Sequence, residues 1–301
     1  MRLLTYDREG RPRLGLAVGD LLVDARDASE ALGGARLPSD MIEFVASGGP
    51  ALARARGVIE QLAPDADALD RLSAPIGSVR LLAPIPRPAR NIVCVGLNYA
   101  DHAAESRVTQ GLPEHPVFFT KPPSTVIGPN AAIPWHGHVS TRIDWEVELV
   151  VVIGRGGRDI PEERALEHVF GYTIGNDVTA RDLQAKHQQW YKGKGLDGFC
   201  PLGPWIVTAD ELPDPQALRL RLNVNGAPKQ DASTGDMIFG VAKLISVWSQ
   251  GMTLEPGDLL MTGTPSGVGF ARQPPEYLRP GDVVECEIQG VGSLRNTVAG
   301  E

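Results

Sequence analysis

The segment Asp144-Trp145-Glu146-Val147-Glu148 places three acidic residues two apart and runs straight into Leu149-Val150-Val151-Val152-Ile153. On a β-strand, residues two apart share a face, so Asp144, Glu146 and Glu148 are expected on one side of one strand. A half-buried strand with a solvated acidic face would also produce such a pattern. Two details favour a different use. The acidic face continues into Val150 and Val152, and an unbroken aliphatic run marks a strand covered on both sides. Neighbouring carboxylates that enter a covered face repel one another and resist desolvation. A hard divalent cation, Mg²⁺ or Ca²⁺, is the simplest compensation. Glu146 and Glu148 are therefore expected metal ligands. Asp177, in GYTIGNDVTARD, is the expected third, because it ends an apolar strand where a loop can carry function on a rigid scaffold. Its alternative role is to cap a helix beginning at TARDLQ.

Other reactive side chains cluster in sequence around these. Arg181 and Gln184, three apart, share a helix face just after Asp177. Lys194 lies in KGKGLDGFCPLGPW, whose glycines let backbone approach a ligand closely. His102 and Glu105, in GLNYADHAAE, would face the same way on one helical turn, as an acid–base pair does; a surface ion pair has the same spacing. TGTPSGVG (262–269) is glycine-rich but lacks the lysine of a phosphate loop and a following helix, so nucleotide binding has little support. Residues 98–112 contain no long apolar stripe and are expected to form a lid held weakly by tertiary packing.

The elements that must position these residues are mostly strands. IVCVG, PVFFTK, EVELVVVIG, VFGYTIGND, PWIVTA, LRLRLNVNG, LLMTG and VVECEIQGVGSLRNTV are short, β-branched or alternating, and end in turn residues. ERALEHVF, TARDLQAKHQQWY and IFGVAKLISVWSQ read as helices. Strands without regular helix alternation argue against a doubly wound parallel fold and for a rolled or sandwiched, antiparallel-rich sheet. Residues 1–75 read as a small α+β unit: strands at MRLLTY, RLGLAV and LLVDA, then helices at SDMIEFVASGG and ALARARGVIEQLA. Residues 76–90 read as a Pro-rich linker, and 91–301 as the main domain.

Composition narrows the class. The chain has 301 residues with 42% hydrophobic and 22% charged, ordinary for a protein that buries a real core. Its 34 Gly and 25 Pro are dispersed, as short strands and many turns require. A net charge of −8 without a basic run argues against nucleic acid. The longest aliphatic run is far short of the roughly 20 residues of a membrane helix. The start shows no secretory signal pattern. Cys94, Cys200 and Cys286 are far apart and fit buried thiols in a reducing cytoplasm.

VGLNYADHAAE, FFTKPPSTVIGPN, DWEVELVVVIG, GYTIGNDVTARDLQ, GKGLDGFCPLGPW and MTGTPSGVG, in this order, resemble the fumarylacetoacetate hydrolase family, including its acylpyruvate hydrolase and 2-hydroxyhepta-2,4-diene-1,7-dioate isomerase members. The resemblance covers most of residues 91–270. It implies a mainly β fold with α, a mixed β-sandwich roll preceded by a small α+β domain, and a homodimer. It also implies Mg²⁺ or Mn²⁺ on Glu146, Glu148 and Asp177, with a small 2-oxo acid as substrate. By the same resemblance His102 and Glu105 match a catalytic pair on a mobile lid, and Lys121, Lys194, Arg181, Gln184 and Thr264 match substrate-side residues. GKGLD has Gly195 and Leu196 where many relatives have Ser and Phe, which alters the pocket. The expected reaction is hydrolysis of a C–C bond in an acylpyruvate or related 2,4-dioxo acid, giving pyruvate and a carboxylic acid. Glu105 would polarise His102 to activate water, and Lys194 would stabilise developing negative charge. Oxaloacetate decarboxylation and hydroxymuconate-type isomerisation or decarboxylation would use the same site. A non-catalytic 2-oxo acid or metal-binding protein would bind without turnover.

Overall fold

A computed structural model describes residues 1–106 and 111–300. The strand Val147–Ile153 is buried at every position, as its aliphatic run requires. It pairs antiparallel with Val169–Asn176 on one side and Leu259–Met261 on the other. Ile92–Gly96 joins Leu259–Met261 in parallel, and Val117–Lys121 then forms an edge. In the other direction come Cys200–Thr208 and the N-terminal strands Arg2–Arg8, Arg11–Val18, Leu21–Asp24 and Ser73–Pro75. The N-terminal strands therefore continue the same twelve-stranded sheet. The stretch 76–90 adds Leu81–Leu82 to that sheet and buries Ala83 and Ile85.

A second sheet has five strands, in the order Ala227–Ser233, Arg219–Val224, Val283–Ile288, Gly292–Val298 and Ala132–Ile133. Val147, Leu149, Val151 and Ile153 share one core with Leu220, Leu222, Val284, Cys286 and Leu294 of this sheet. Val150 and Val152 point the other way, into a core with Phe44, Val45 and Val58 of the helix Met41–Leu62. At about 1.5–3 kcal/mol for each large aliphatic side chain buried, these two cores hold the strand from both faces. The result is the expected mixed sandwich, antiparallel-rich with α elements.

Several local expectations shift. The two N-terminal helices join across a kink at Gly48 (φ 58°, ψ −142°). Asp40 caps the first of them by accepting from the Glu43 N–H at 3.0 Å. A short helix, Ala25–Ala31, precedes them, and another, Ala66–Leu72, follows. ERALEHVF forms a 3-10 helix over Glu162–His168, and its last two residues enter a strand. TARDLQAKHQQWY divides into the strand Thr179–Ala180, the helix Arg181–Lys186 and the start of the helix Tyr191–Lys194. Ala227–Ser233 is a strand that alternation does not reveal, because it reads APKQDAS.

Candidate metal and substrate site

The acidic segment does not run as one strand. It breaks after Ile143–Asp144 and resumes at Val147, with Trp145 and Glu146 between. Glu146 N–H donates to Asn176 Oδ1 at 3.0 Å, and the Asp177 N–H donates to Glu146 O at 2.8 Å, so a side chain replaces one ladder bond at the break. The break corrects the reading that Asp144 shares a face with the two glutamates. Asp144 is fully buried and takes donors from Trp145 N, Gly269 N, Phe270 N and Arg181 Nε at 2.7–3.0 Å.

Glu146, Glu148 and Asp177 do converge: one oxygen from each lies within 4.8 Å of the others, and all three residues are buried. Asp177 is brought in by the pairing of Val147–Ile153 with Val169–Asn176, which sets Val147 opposite Asn176. It does not cap the following helix, whose N-cap is Ala180. Two lysines hold it. Lys121 Nζ lies 2.5 Å from Asp177 Oδ1 and 3.1 Å from Val178 O. Lys194 Nζ lies 2.6 Å from Asp177 Oδ2 and 2.8 Å from Glu146 Oε2. Arg181 Nη2 approaches Glu146 Oε1 at 2.6 Å but makes no aligned hydrogen bond, while its Nη1 donates to Gln184 Oε1 at 3.1 Å.

The charges of these groups diverge with their surroundings. Burial opposes ionisation of Glu146, but Lys194, Arg181 and His102 outweigh it and hold this carboxyl far below its ordinary range. Burial, followed by repulsion from Asp177 and Glu146, pushes Glu148 well above its ordinary range. Burial also opposes the charge on Lys194, yet Asp177 and Glu146 keep it above the usual lysine value. Glu148 is thus the carboxylate that the protein's own cations fail to compensate. Three converging hard oxygen donors with such a deficit fit a divalent cation.

The glycine-rich segment 262–269 serves these carboxylates rather than a phosphate. Gly263 N–H donates to Glu148 Oε2 at 2.7 Å, and Gly267 N–H reaches both carboxylate oxygens of Glu105 at 3.1 Å. Gly263 has φ +95°, and a Cβ there would meet the Asn98 Cβ at 2.8 Å, so only glycine presents its N–H this way. Asn98 is itself buried and bonds Thr262 O and both backbone groups of Phe239, which anchors the entry to the helix Ala100–Ser106.

That helix presents His102 and Glu105 as one unit, with His102 Nδ1 3.0 Å from Glu105 Oε1. His102 is only 6% exposed and lines a cavity of about 320 Å³ together with Glu146, Glu148, Arg181, Gln184, Lys194 and Thr264. Phe119, Trp190, Phe270 and Leu97 supply its apolar walls. Lys121 and Asp177 lie behind these residues, fully buried. Within the expected lid, residues 107–110 lie outside the described residues. Asn98, Asn176 and the orientation of Asp144 escaped sequence reasoning. Only the density of glycine in 262–269, a sign of close backbone approach, pointed toward any of it.

The chain is also similar to known proteins along most of its length. The family model described as "Fumarylacetoacetate (FAA) hydrolase C-terminal" matches residues 91–299. The chain is 42% identical to the oxaloacetate tautomerase YisK of Bacillus subtilis (strain 168), over 99% of this chain and all of that protein. Among solved structures, it is similar to a fumarylacetoacetate hydrolase from psychrophilic Exiguobacterium antarcticum, at 40% identity, TM-score 0.83 and full coverage of both chains. It is also similar to the maleylpyruvate hydrolase of Sphingobium sp. SYK-6 in complex with manganese(II) ion and pyruvate, at 32% identity, TM-score 0.75 and 99% coverage of each chain. Among the described residues, no helix is long and apolar enough to cross a membrane.

Proposed function

This chain belongs to the fumarylacetoacetate hydrolase family of enzymes, and on that footing we propose that it interconverts the keto and enol forms of oxaloacetate or a closely related small 2-oxo diacid. The observation that carries this reading is the 42% identity, along essentially the whole of both chains, to an oxaloacetate tautomerase. It replaces acylpyruvate cleavage as the first choice. Tautomerisation shares with that chemistry an enolate of a 2-oxo acid, and needs neither an attacking water nor a broken C–C bond.

Glu146, Glu148 and Asp177 would hold Mg²⁺ or Mn²⁺, with Ca²⁺ as an alternative that the oxygen donor set also accepts. Such a cation supplies Lewis acidity that polarises a 2-oxo carboxylate. Asp144, Glu146, Glu148 and Asp177 against Lys121, Arg181 and Lys194 leave one negative charge, and Glu105 adds a second, so a divalent cation would bring the site to neutrality before an anionic substrate binds. In the keto-to-enol direction one proton leaves C3 and one arrives on the carbonyl oxygen. An ionised Glu105 only accepts, so His102 Nδ1 carries a proton and Nε2 is free to take the one from C3. Lys194 has three N–H donors; two reach Glu146 and Asp177, and the third serves the enolate oxygen. Arg181, with Gln184 beside it, would meet a substrate carboxylate, and Thr264 would close the cavity wall.

A second reading, hydrolysis of a maleylpyruvate-like acylpyruvate, has its own support in the similarity to a maleylpyruvate hydrolase and in the His102–Glu105 pair, which could activate water instead. Ultraviolet decay of enol-oxaloacetate, measured beside pyruvate and CO₂ release from oxaloacetate and acylpyruvates, separates the two. No acceleration of enol decay beyond that of free Mn²⁺ would refute the tautomerase reading; pyruvate from acylpyruvates alone would establish the hydrolase. Substrate binding without any turnover would point to a binding protein. We further propose a homodimer in the cytoplasm. Light scattering that gives a monomer at micromolar concentration, or fractionation that places the protein elsewhere, would refute each part.

A further inference from the structure

Gln230 lies on Ala227–Ser233, the strand that the hydrophobic pattern does not reveal, and it is only 2% exposed. Its side chain reaches out of the five-stranded sheet to Val147 and to the segment 264–265. Oε1 accepts from the Val147 N–H at 3.0 Å, and Nε2 donates to Thr264 Oγ1 and Pro265 O, each at 2.8 Å. The amide orientation follows from chemistry, since the Val147 N–H can only donate and the Pro265 carbonyl can only accept. Along the strand Val147–Ile153, Leu259–Met261 pairs only with Val150–Val152, so it does not reach the edge of Val147. There Gln230 and the Thr264 hydroxyl, which donates to Val147 O at 2.9 Å, replace a neighbouring strand.

We propose that Gln230 is a positioning residue, coupling the carboxylate strand to the His102–Glu105 pair through the segment 262–267. Its two donated bonds fall between Gly263, which bonds Glu148, and Gly267, which bonds Glu105. The segment also rests on the adjoining backbone: a Cβ at Gly267 (φ +103°) would meet Lys229 O at 2.1 Å. The amide decides what Thr264 offers a ligand as well. The single hydroxyl proton goes to Val147 O and one lone pair takes Gln230 Nε2–H, so toward the cavity the Thr264 side chain can only accept. A substrate carboxylate must find its donors elsewhere. The link to Glu105 rests on the proposed role of that pair; the link to the loop does not.

The test uses Gln230→Met, which keeps volume but loses all three bonds, and Gln230→Glu, which keeps the acceptor for Val147 N–H but loses both donors. In the cation-loaded enzyme, amide hydrogen exchange across 262–268 should rise at least about ten-fold in both variants, with kcat falling roughly 10- to 100-fold, as small misplacement of reacting groups does. In a Glu105→Gln background the same variants should lower kcat by less than about three-fold, because coupled residues are not additive. Unchanged loop exchange in either folded variant, or equal kcat losses in the two backgrounds, overturns the proposal. A filler role alone would let Gln230→Glu disturb the loop and Gln230→Met leave it protected. If the wild-type enzyme leaves oxaloacetate untouched, the functional reading fails, while the exchange measurement still decides the role of Gln230.

Discussion

Lys121 and Asp177 meet at 2.5 Å, 56 residues apart in sequence and both fully shielded from solvent. Neither can reach water, and Asp177 is the carboxylate that Lys121 contacts. Removing one partner of a buried pair costs about 3–5 kcal/mol, because the other charge stays desolvated and unpaired. Lys194 also contacts Asp177, so Lys121→Met should fall at the lower end of that range. Urea unfolding in EDTA measures it, and a loss under about 1 kcal/mol would show that Lys194 suffices alone.

Glu146→Gln and Glu148→Gln should each abolish tight divalent-cation binding, since either leaves two charged oxygen ligands where the cluster offers three. Isothermal titration with Mn²⁺ reads this directly. Excess EDTA should likewise remove nearly all activity from the unaltered enzyme; full activity in EDTA would exclude the metal reading.

Stability should depend on pH in a direction that the cation reverses. Glu148 has a folded pKa raised by burial and by Asp177 and Glu146, so in the metal-free protein the folded state binds more protons than the unfolded chain. Its contribution is fully present below the unfolded value of 4.5 and is lost as pH rises toward the folded value. Glu146 is shifted the opposite way, and its contribution is lost progressively as pH falls below its unfolded value of 4.5. Metal-free melting temperature should therefore decline as pH climbs above the ordinary carboxylate range. The stabilisation added by Mn²⁺ should grow over the same interval, because ligands bind deprotonated. Scanning calorimetry at a series of pH values, with EDTA or Mn²⁺, tests this; a cation increment independent of pH contradicts it.

His102→Ala should lower kcat by about 10²–10⁴-fold, the usual loss for a general base, while Mn²⁺ affinity persists because the imidazole is not among the three ligands. Glu105→Gln should do less, since the imidazole remains and only its orientation and tautomer are disturbed. Near-wild-type turnover of the best substrate by His102→Ala would assign the histidine to packing.

The sequence alone determined the parts of this protein that depend on local periodicity. An aliphatic run too long to alternate marks a strand buried on both faces, and Val147–Ile153 is buried throughout. Spacing of two put Glu146 and Glu148 together, and spacing of three put His102 beside Glu105 and Arg181 beside Gln184. These relations follow from backbone geometry within a few residues, so no distant segment is needed to create them.

Asp144 shows where that logic stops. Period two put it with the glutamates, but the Asn176 side chain takes the Glu146 N–H, the strand breaks, and Asp144 turns to Arg181 and to the backbone of Gly269 and Phe270. Lys121 behind Asp177, Gln230 beneath Thr264 and Gly263 against Glu148 likewise join segments 34 to 115 residues apart. Such contacts come from strand order and register across two sheets, which hydrophobic pattern does not encode. Tertiary structure decided them because a buried charge or amide must find its partner, and the packing of distant strands determines which groups are within reach.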